Sequence, residues 1–262
     1  MKPKNTETPY FIEALARGLE VLALFSKENP RLSLSDIVEK SGLSKATAYR
    51  ILSTLEATGY LIRDGSTKRY YPSMQVLSLG FTAINNLNIR QVARSHLQEL
   101  AQNQDLTTSL GILDGLWVIY IDRVRNREIF GVLLGLGDRI PAHCSSMGKV
   151  MLAHLDPDII EARLHDAQLK PCTPRSIQTV HEFKVELEKV REQGFAINDA
   201  ELYSGLRAIA APIFNNQGDV VAAVNASGSQ DTISSERLRN ELPEHILQTA
   251  RNISQTLKMI HP

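Results

Sequence analysis

Apolar residues near the start of the chain recur at helical spacing. Phe11, Leu15, Leu19, Leu22 and Phe25 fall three or four positions apart, with Val21 on the same side, and predict a helix across "FIEALARGLEVLALFS". The "NPR" that follows breaks it. Ser33 and Asp36 then stand at capping-box spacing, ahead of a short helix expected to reach about Lys40. "SGL" makes a tight turn, Ser44 is placed to cap a second helix, and Gly59 ends it. "YLIRDGSTKRYYPS" reads as two short strands around a polar tip. Helical texture returns over "MQVLSLGFTAINNLNIRQVARSHLQELAQNQ". From about Thr107 the texture changes to strand-like runs, "TTSLGILDG", "WVIYIDRV" and "EIFGVLLG". Helical stretches are expected at about 146–165 and 179–193. "FAINDAEL", "RAIAAPIF" and "VVAAVNAS" add strands, with a turn at "NNQGD", and a helix over about 234–260 follows.

Helix, short turn, helix and hairpin, in that order, describe a winged helix-turn-helix. The hairpin-like neighbours further on favour an antiparallel sheet with helices segregated to one face or to the ends. The expected class is α+β. The expected limits are 10–75 for the winged helix-turn-helix, 76–91 for a linker helix and 92–262 for the second domain. A length of 262 residues with 43% apolar content can support a core in each.

Charge sharpens the picture locally rather than globally. The chain balances 29 basic against 29 acidic residues, so any attraction to nucleic acid must come from distribution. Residues 40–75 hold Lys40, Lys45, Arg50, Arg63, Lys68 and Arg69 against Glu56 and Asp64, a local charge of +4. On the second helix Ala48, Ile51, Leu52 and Leu55 share one face, which packs inward. Ala46, Arg50 and Ser53 lie opposite, flanked by Lys45, Thr47 and Tyr49. A small, basic, hydroxyl-bearing face fits a major groove, with Arg50 suited to a guanine edge and Ala46 or Thr47 to a thymine methyl. Ser44, Lys45, Ala46, Thr47, Tyr49 and Arg50, with Lys68 and Arg69 in the wing, are therefore the DNA-contacting candidates. The competing reading is a solvated surface helix beside an ordinary hairpin.

Several chemistries fall away. "HCSSMGKV" ends like a phosphate-binding loop, but His143 stands where the first Gly is needed and Val150 where Ser or Thr is needed. Ser145 and Ser146 instead suit a helix start, whose free N–H groups can receive a carboxylate. His143 and Cys144 have no orienting partner at a recognisable spacing, and on a strand they would point to opposite faces. Cys144 and Cys172 are no disulfide framework, and a redox pair would be uncommon in the cytosol. The histidines form no metal-ligand spacing. No catalytic residue, metal or cofactor is expected. No apolar run reaches the ~18 residues of a membrane span, and the polar "MKPKNTETPY" lacks a signal-peptide core, so a soluble cytoplasmic protein without membrane contact is expected.

Taken together, "ARGLEVLALF", "GLSKATAYRILSTLEATGYL", "YYPSMQVLSLG", "IPAHCSSMGKVMLAH", "LYSGLRAIAAPI" and "VVAAVNASG" resemble the IclR family of transcriptional regulators over nearly the whole length. Within it, "RGLEVL", "SSMGKVML" and "AAVNAS" look most like the regulators of protocatechuate and hydroxybenzoate breakdown. Their recognition helix usually holds more arginine than "SKATAYR" does. The resemblance implies a GAF-like effector domain, a small carboxylate ligand, operator DNA as partner, and a homodimer or dimer of dimers. By matching motif it places the effector against the amides of Ser146 and Met147, and against Asn198, Asp199, Arg207, Ala208, Asn225 and Ser227. Arg207 would pair with the carboxylate or, alternatively, with Glu201. Ala208 stands where related chains tend to have serine or cysteine. The expectation is a regulator sensing a small, aromatic organic acid. Its rivals are an enzyme using the same pocket and a DNA-binding oligomer that takes no ligand.

Overall fold

The computed structural model describes residues 10–26, 28–85, 88–126 and 134–260. They form two compact units, Met1–Asn86 and Leu87–Pro262.

The first unit runs α1 (Glu13–Leu22), α2 (Leu34–Ser41), α3 (Lys45–Ala57), β1 (Leu61–Arg63), β2 (Tyr70–Pro72) and α4 (Met74–Asn85). Its local signals are read directly in the structure. Ser33 accepts from the Asp36 amide while the Asp36 carboxylate accepts from the Ser33 amide, which closes the capping box. Gly42 ends α2 at φ +70°, a left-handed conformation that glycine adopts without strain. Val21, Leu32, Ile37, Ala48, Leu52, Leu61 and Tyr70 form the core. Each fully buried Ile or Leu there contributes about 1.5–3 kcal/mol. The apolar stripe expected on α1 splits: Val21 is buried, whereas Leu15 and Leu19 are exposed.

The second unit opens with α5 (Asn88–Gln104) and centres on a six-stranded antiparallel sheet of order β5-β4-β3-β8-β7-β6. The strands are β3 (Thr107–Asp114), β4 (Trp117–Val124), β5 (Arg139–Pro141), β6 (Ala196–Asp199), β7 (Leu206–Phe214) and β8 (Val220–Ser229). Between β5 and β6 come a 3-10 turn (Ala142–Cys144), α6 (Ser146–Ala153), α7 (Pro157–Leu164) and α8 (Val180–Gln193). A π-helical turn (Arg237–Glu241) leads into α9 (Leu242–Ile260).

Helices cover both faces of this sheet, not one. α5 and α9 pack with Leu110, Ile121, Ile209 and Val224. α6 and α8 pack with Tyr120, Ala210 and Ala223 on the other side. The reason is in β7 and β8, where consecutive residues are buried, so neither face can be left to water. The helix expected over 146–165 is two, because Asp156 caps a new start at Pro157. β5 was not foreseen. The expected strand "EIFGVLLG" lies outside the described residues except for Leu134 and Gly135. No helix among the described residues is long and apolar enough to cross a membrane.

Candidate functional site

The DNA-reading candidates come first. α3 begins at Ser44, whose hydroxyl accepts from the Thr47 amide at 3.2 Å and lies 2.9 Å from the Thr47 hydroxyl. Ser44 and Thr47 therefore set the helix start. Ala48 and Leu52 are buried, while Lys45, Ala46, Tyr49 and Arg50 are exposed on the other side. No carboxylate pairs with Lys45, Arg50 or Lys68 among the described residues. The hairpin tip is built on Asp64, which accepts from the Ser66 and Thr67 amides at 2.9 Å each and from the Ser66 hydroxyl at 2.6 Å. Those bonds hold its carboxyl well below the usual range. Lys68 sits at the tip with φ +57°. Arg69 is committed inward, to Asp36 at 3.3 Å and to the Arg31 carbonyl at 3.1 Å. It braces the wing against the α2 capping box.

In the second unit the stretch that resembled a phosphate loop becomes a 3-10 turn leading into α6. Ser145 caps α6 by accepting from the Gly148 amide at 3.0 Å. The amides of Ser146 and Met147 find no acceptor among the described residues. Gly148 is required by packing, since a Cβ there would lie 2.3 Å from the Ala142 Cα and carbonyl oxygen. Lys149 is not a phosphate ligand either. Its Nζ donates to Glu201 at 2.8 and 3.0 Å and to Glu186 at 3.2 Å, with the side chain only 1% exposed.

Beneath this loop, against the sheet, lies a narrow cavity with room for little more than a single water molecule. A ring-sized guest therefore needs a wall to give, and unbranched Met147 is the most adaptable of them. Of the candidates, Ser146, Met147, Asn198, Ala208, Asn225 and Ser227 line it. Their availability differs. Asn198 donates to the Cys144 carbonyl at 2.5 Å and accepts from the Glu201 amide at 3.2 Å, so it latches the loop to β6. Ser227 donates to the Thr107 carbonyl at 3.2 Å.

Asp199 and Arg207 do not line the cavity. They face each other across β6 and β7, Arg207 Nε donating to Asp199 at 2.7 Å, and Arg175 adds a second contact at 3.2 Å. Burial pushes the Asp199 carboxyl up, but the Arg207 hydrogen bond and charge outweigh it and hold it low. Arg207 is thus paired with Asp199, not with Glu201, which belongs to Lys149. The wall also holds Tyr120 and Arg123, which the sequence reading missed.

His143 and Cys144 sit in the 3-10 turn, not on a strand, and both are buried. The His143 ring meets the Lys170 carbonyl at 3.0 Å and the edge of Phe183. Burial pushes the Cys144 thiol up, and hydrogen bonds with His143, Cys172 and Ser176 pull it below its ordinary value. Both cysteines are free thiols. No group of three metal-ligating side chains exists among the described residues.

A helix-turn-helix with an unpaired basic face and a braced wing, in one chain with a separate cavity-bearing sheet domain, defines a DNA-binding regulator. The chain belongs to the IclR family. The family model for the IclR helix-turn-helix domain matches residues 14–65, and that for the bacterial transcriptional regulator IclR C-terminal domain matches residues 81–255. The chain is 30% identical to the HTH-type transcriptional regulator XynR of Escherichia coli, covering 94% of this chain and 97% of that one. It is 31% identical to the Pca regulon regulatory protein of Pseudomonas putida, covering 96% and 86%. Among solved structures it resembles an IclR homolog from Microbacterium hydrocarbonoxydans complexed with 4-hydroxybenzoate, with 26% identity, coverage of 93% and 98%, and a TM-score of 0.76. The protein is a transcriptional regulator and not an enzyme, as the family and these relatives are.

Proposed function

We propose that an effector domain over residues 92–262 senses a small organic acid, most simply an aromatic one, and that its occupancy shifts the affinity of the 10–75 domain for operator DNA through a linker at 76–91, which takes in most of α4 and the start of α5, with residues 86 and 87 outside the described ones. The observation that carries this is the pair of acceptor-less amides, Ser146 and Met147, at the edge of a cavity whose wall mixes apolar side chains with polar ones. A helix start without an acceptor suits a carboxylate. The homolog complexed with 4-hydroxybenzoate and the Pca regulon relative support an aromatic acid. A thermal-shift screen of benzoate, 4-hydroxybenzoate, protocatechuate and lactate tests it. At least one should raise the melting temperature and change operator affinity, because a ligand stabilises only the state it binds. No shift with any acid would favour a DNA-binding oligomer that takes no ligand.

The reading extends to assembly. Tyr10, Ile12, Leu15 and Leu19 at α1, and Met74, Leu77 and Leu79 on α4, are exposed apolar side chains in a small domain. They support pairing of two DNA-binding domains, as two half-sites require, within a dimer or dimer of dimers.

On DNA, Lys45, Ala46, Tyr49 and Arg50 form the reading face, Ser44 and Thr47 position it, and Lys68 and Arg69 serve the wing. Arg50→Ala should cost about 1–3 kcal/mol of operator affinity and relax preference at one base position. Lys68→Ala should weaken all sequences alike and flatten the salt dependence. Gel-shift titrations at two salt concentrations check both. Unchanged binding in the two variants would contradict the assignment.

A further inference from the structure

Three buried polar atoms have no hydrogen-bond partner in the described structure: Arg123 Nε, Ser109 Oγ and Asn225 Oδ1. They are not scattered. Ser109 on β3 is the register partner of Arg123 on β4 and of Asn225 on β8, so the three form one row across adjacent strands. Directly opposite residues share a face. Arg123 and Asn225 both line the cavity beneath α6.

Arg123 reaches that face because of a bulge. The register skips Ile121, so that Leu110 opposes Asp122 and Gly111 opposes Tyr120. Ile121 and Asp122 therefore both turn toward α5, where Asp122 meets Arg94 at 2.7 Å. Arg123 falls on the side of Tyr120, its guanidinium 5.7 Å from that ring. No carboxylate pairs with it among the described residues. Asp138 is close enough to attract it but bonds the Gly135 amide at 2.6 Å, and Arg125 adds a like charge. Five other arginines of the unit are matched by carboxylates, Arg207 and Arg175 by Asp199, Arg90 and Arg94 by Asp122, and Arg139 by Asp114, while Arg125, Arg163, Arg191 and Arg237 donate to backbone carbonyls. A half-buried guanidinium that Asp138 attracts without an ion pair, and whose Nε–H finds no acceptor among the described residues, is only partly compensated, and an incoming anion would complete it.

We propose that Arg123 holds the anionic group of the effector and that Ser109 and Asn225 beside it receive a hydroxyl of the same molecule. This rests on the organic-acid reading of the cavity and names what that reading left open. The inventory dictates the division. Arginine Nε only donates, so it needs an acceptor such as a carboxylate; an amide oxygen only accepts, so it needs a donor such as an O–H; a serine hydroxyl serves either. The class of ligand is a hydroxy acid, and Arg123, not Arg207, is its charge partner.

Calorimetric titration of the full chain with 4-hydroxybenzoate, benzoate and 4-hydroxybenzamide tests this in wild type, R123Q, R123K and N225A. Wild type should bind 4-hydroxybenzoate best. R123Q should weaken it roughly 10- to 100-fold, the range of a charge-assisted pair, and lose the preference for carboxylate over carboxamide. R123K should keep that preference, and N225A should lose the preference for 4-hydroxybenzoate over benzoate. Without ligand, R123Q should melt no lower than wild type, since it removes an unpaired charge. If R123Q melts several degrees lower and still binds normally, Arg123 is structural and the proposal fails. Wild-type binding that R123Q leaves unchanged overturns the Arg123 assignment alone. Wild type binding none of the three probes overturns this proposal, and if protocatechuate and lactate also fail to bind, the organic-acid reading falls with it.

Discussion

Replacing Lys149 with methionine is expected to destabilise the C-terminal unit by about 3–5 kcal/mol near pH 8, the cost of breaking a buried ion pair, and by clearly less near pH 5. Methionine fills the space of the lysine stem, so lost packing is not the source of the effect. The source is Glu201. Its carboxyl lies within 3.0 Å of Lys149 Nζ through both oxygens, and Glu186 adds a second negative charge nearby. Burial pushes the Glu201 carboxyl up, Lys149 pulls it part of the way back, and the net shift in the native protein is upward. A carboxyl raised in the folded state stabilises the fold below its unfolded value and loses that contribution as pH rises through the folded value. Without Lys149 the upward shift grows. The variant therefore suffers most where Glu201 must ionise and recovers as the medium becomes acidic enough to protonate it. Urea unfolding followed by the fluorescence of Trp117, the one tryptophan of the chain, reads the relevant unit. Equal destabilisation at both pH values would mean that Glu201 is not the group left behind.

That buried lysine also marks where sequence reading stopped. The "GK" after small residues was legible as a helix start and as a failed phosphate loop, but its real reasons are three-dimensional. Gly148 clears the Ala142 backbone, and Lys149 pairs with a residue 52 positions away. Local signals fared well because their physics is local. Ser33 with Asp36, Gly42 and Ser44 cap and turn as their side chains dictate, and Ala48 and Leu52 fall inward as helical periodicity requires. Pairings between strands were not legible. By sequence Arg207 had the effector's carboxylate or Glu201 as its partner, and the β6–β7 register instead sets it opposite Asp199. Arg123 was hidden by the bulge at Ile121, because strict alternation along "WVIYIDRV" assigns Arg123 and Tyr120 to opposite faces. The motif-matched cavity residues, by contrast, lie mostly around one space, while Asn198 and Ser227 turn out to be occupied within the protein.

Ser146→Pro is expected to abolish the response to an organic acid while leaving the fold and ligand-free operator binding intact; Ser146→Ala should keep the response. Ser146 is the first helical residue of α6, where proline is well tolerated because its missing N–H has no intrahelical partner. Ser145 before it is already extended, at φ −125° and ψ 141°, the region that a following proline favours. The Ser145 hydroxyl still caps the Gly148 amide. The substitution thus deletes one amide donor at the cavity edge and little else. Alanine retains that donor and removes only a hydroxyl. If the amides of Ser146 and Met147 receive the effector together, losing one leaves a ligand oxygen without its partner in a site shielded from water, at a cost of about 1.5–3 kcal/mol for a charged acceptor. A ligand shifts operator affinity only by its differential affinity for the two states of the protein, so a loss of that size removes most of a coupling worth about 1–3 kcal/mol. Calorimetry with 4-hydroxybenzoate and operator gel shifts with and without it would be compared across the three proteins. A well-folded Ser146→Pro variant that binds and responds like wild type would reduce the α6 start to an ordinary capped helix and leave Arg123 as the cavity's sole anion-receiving group.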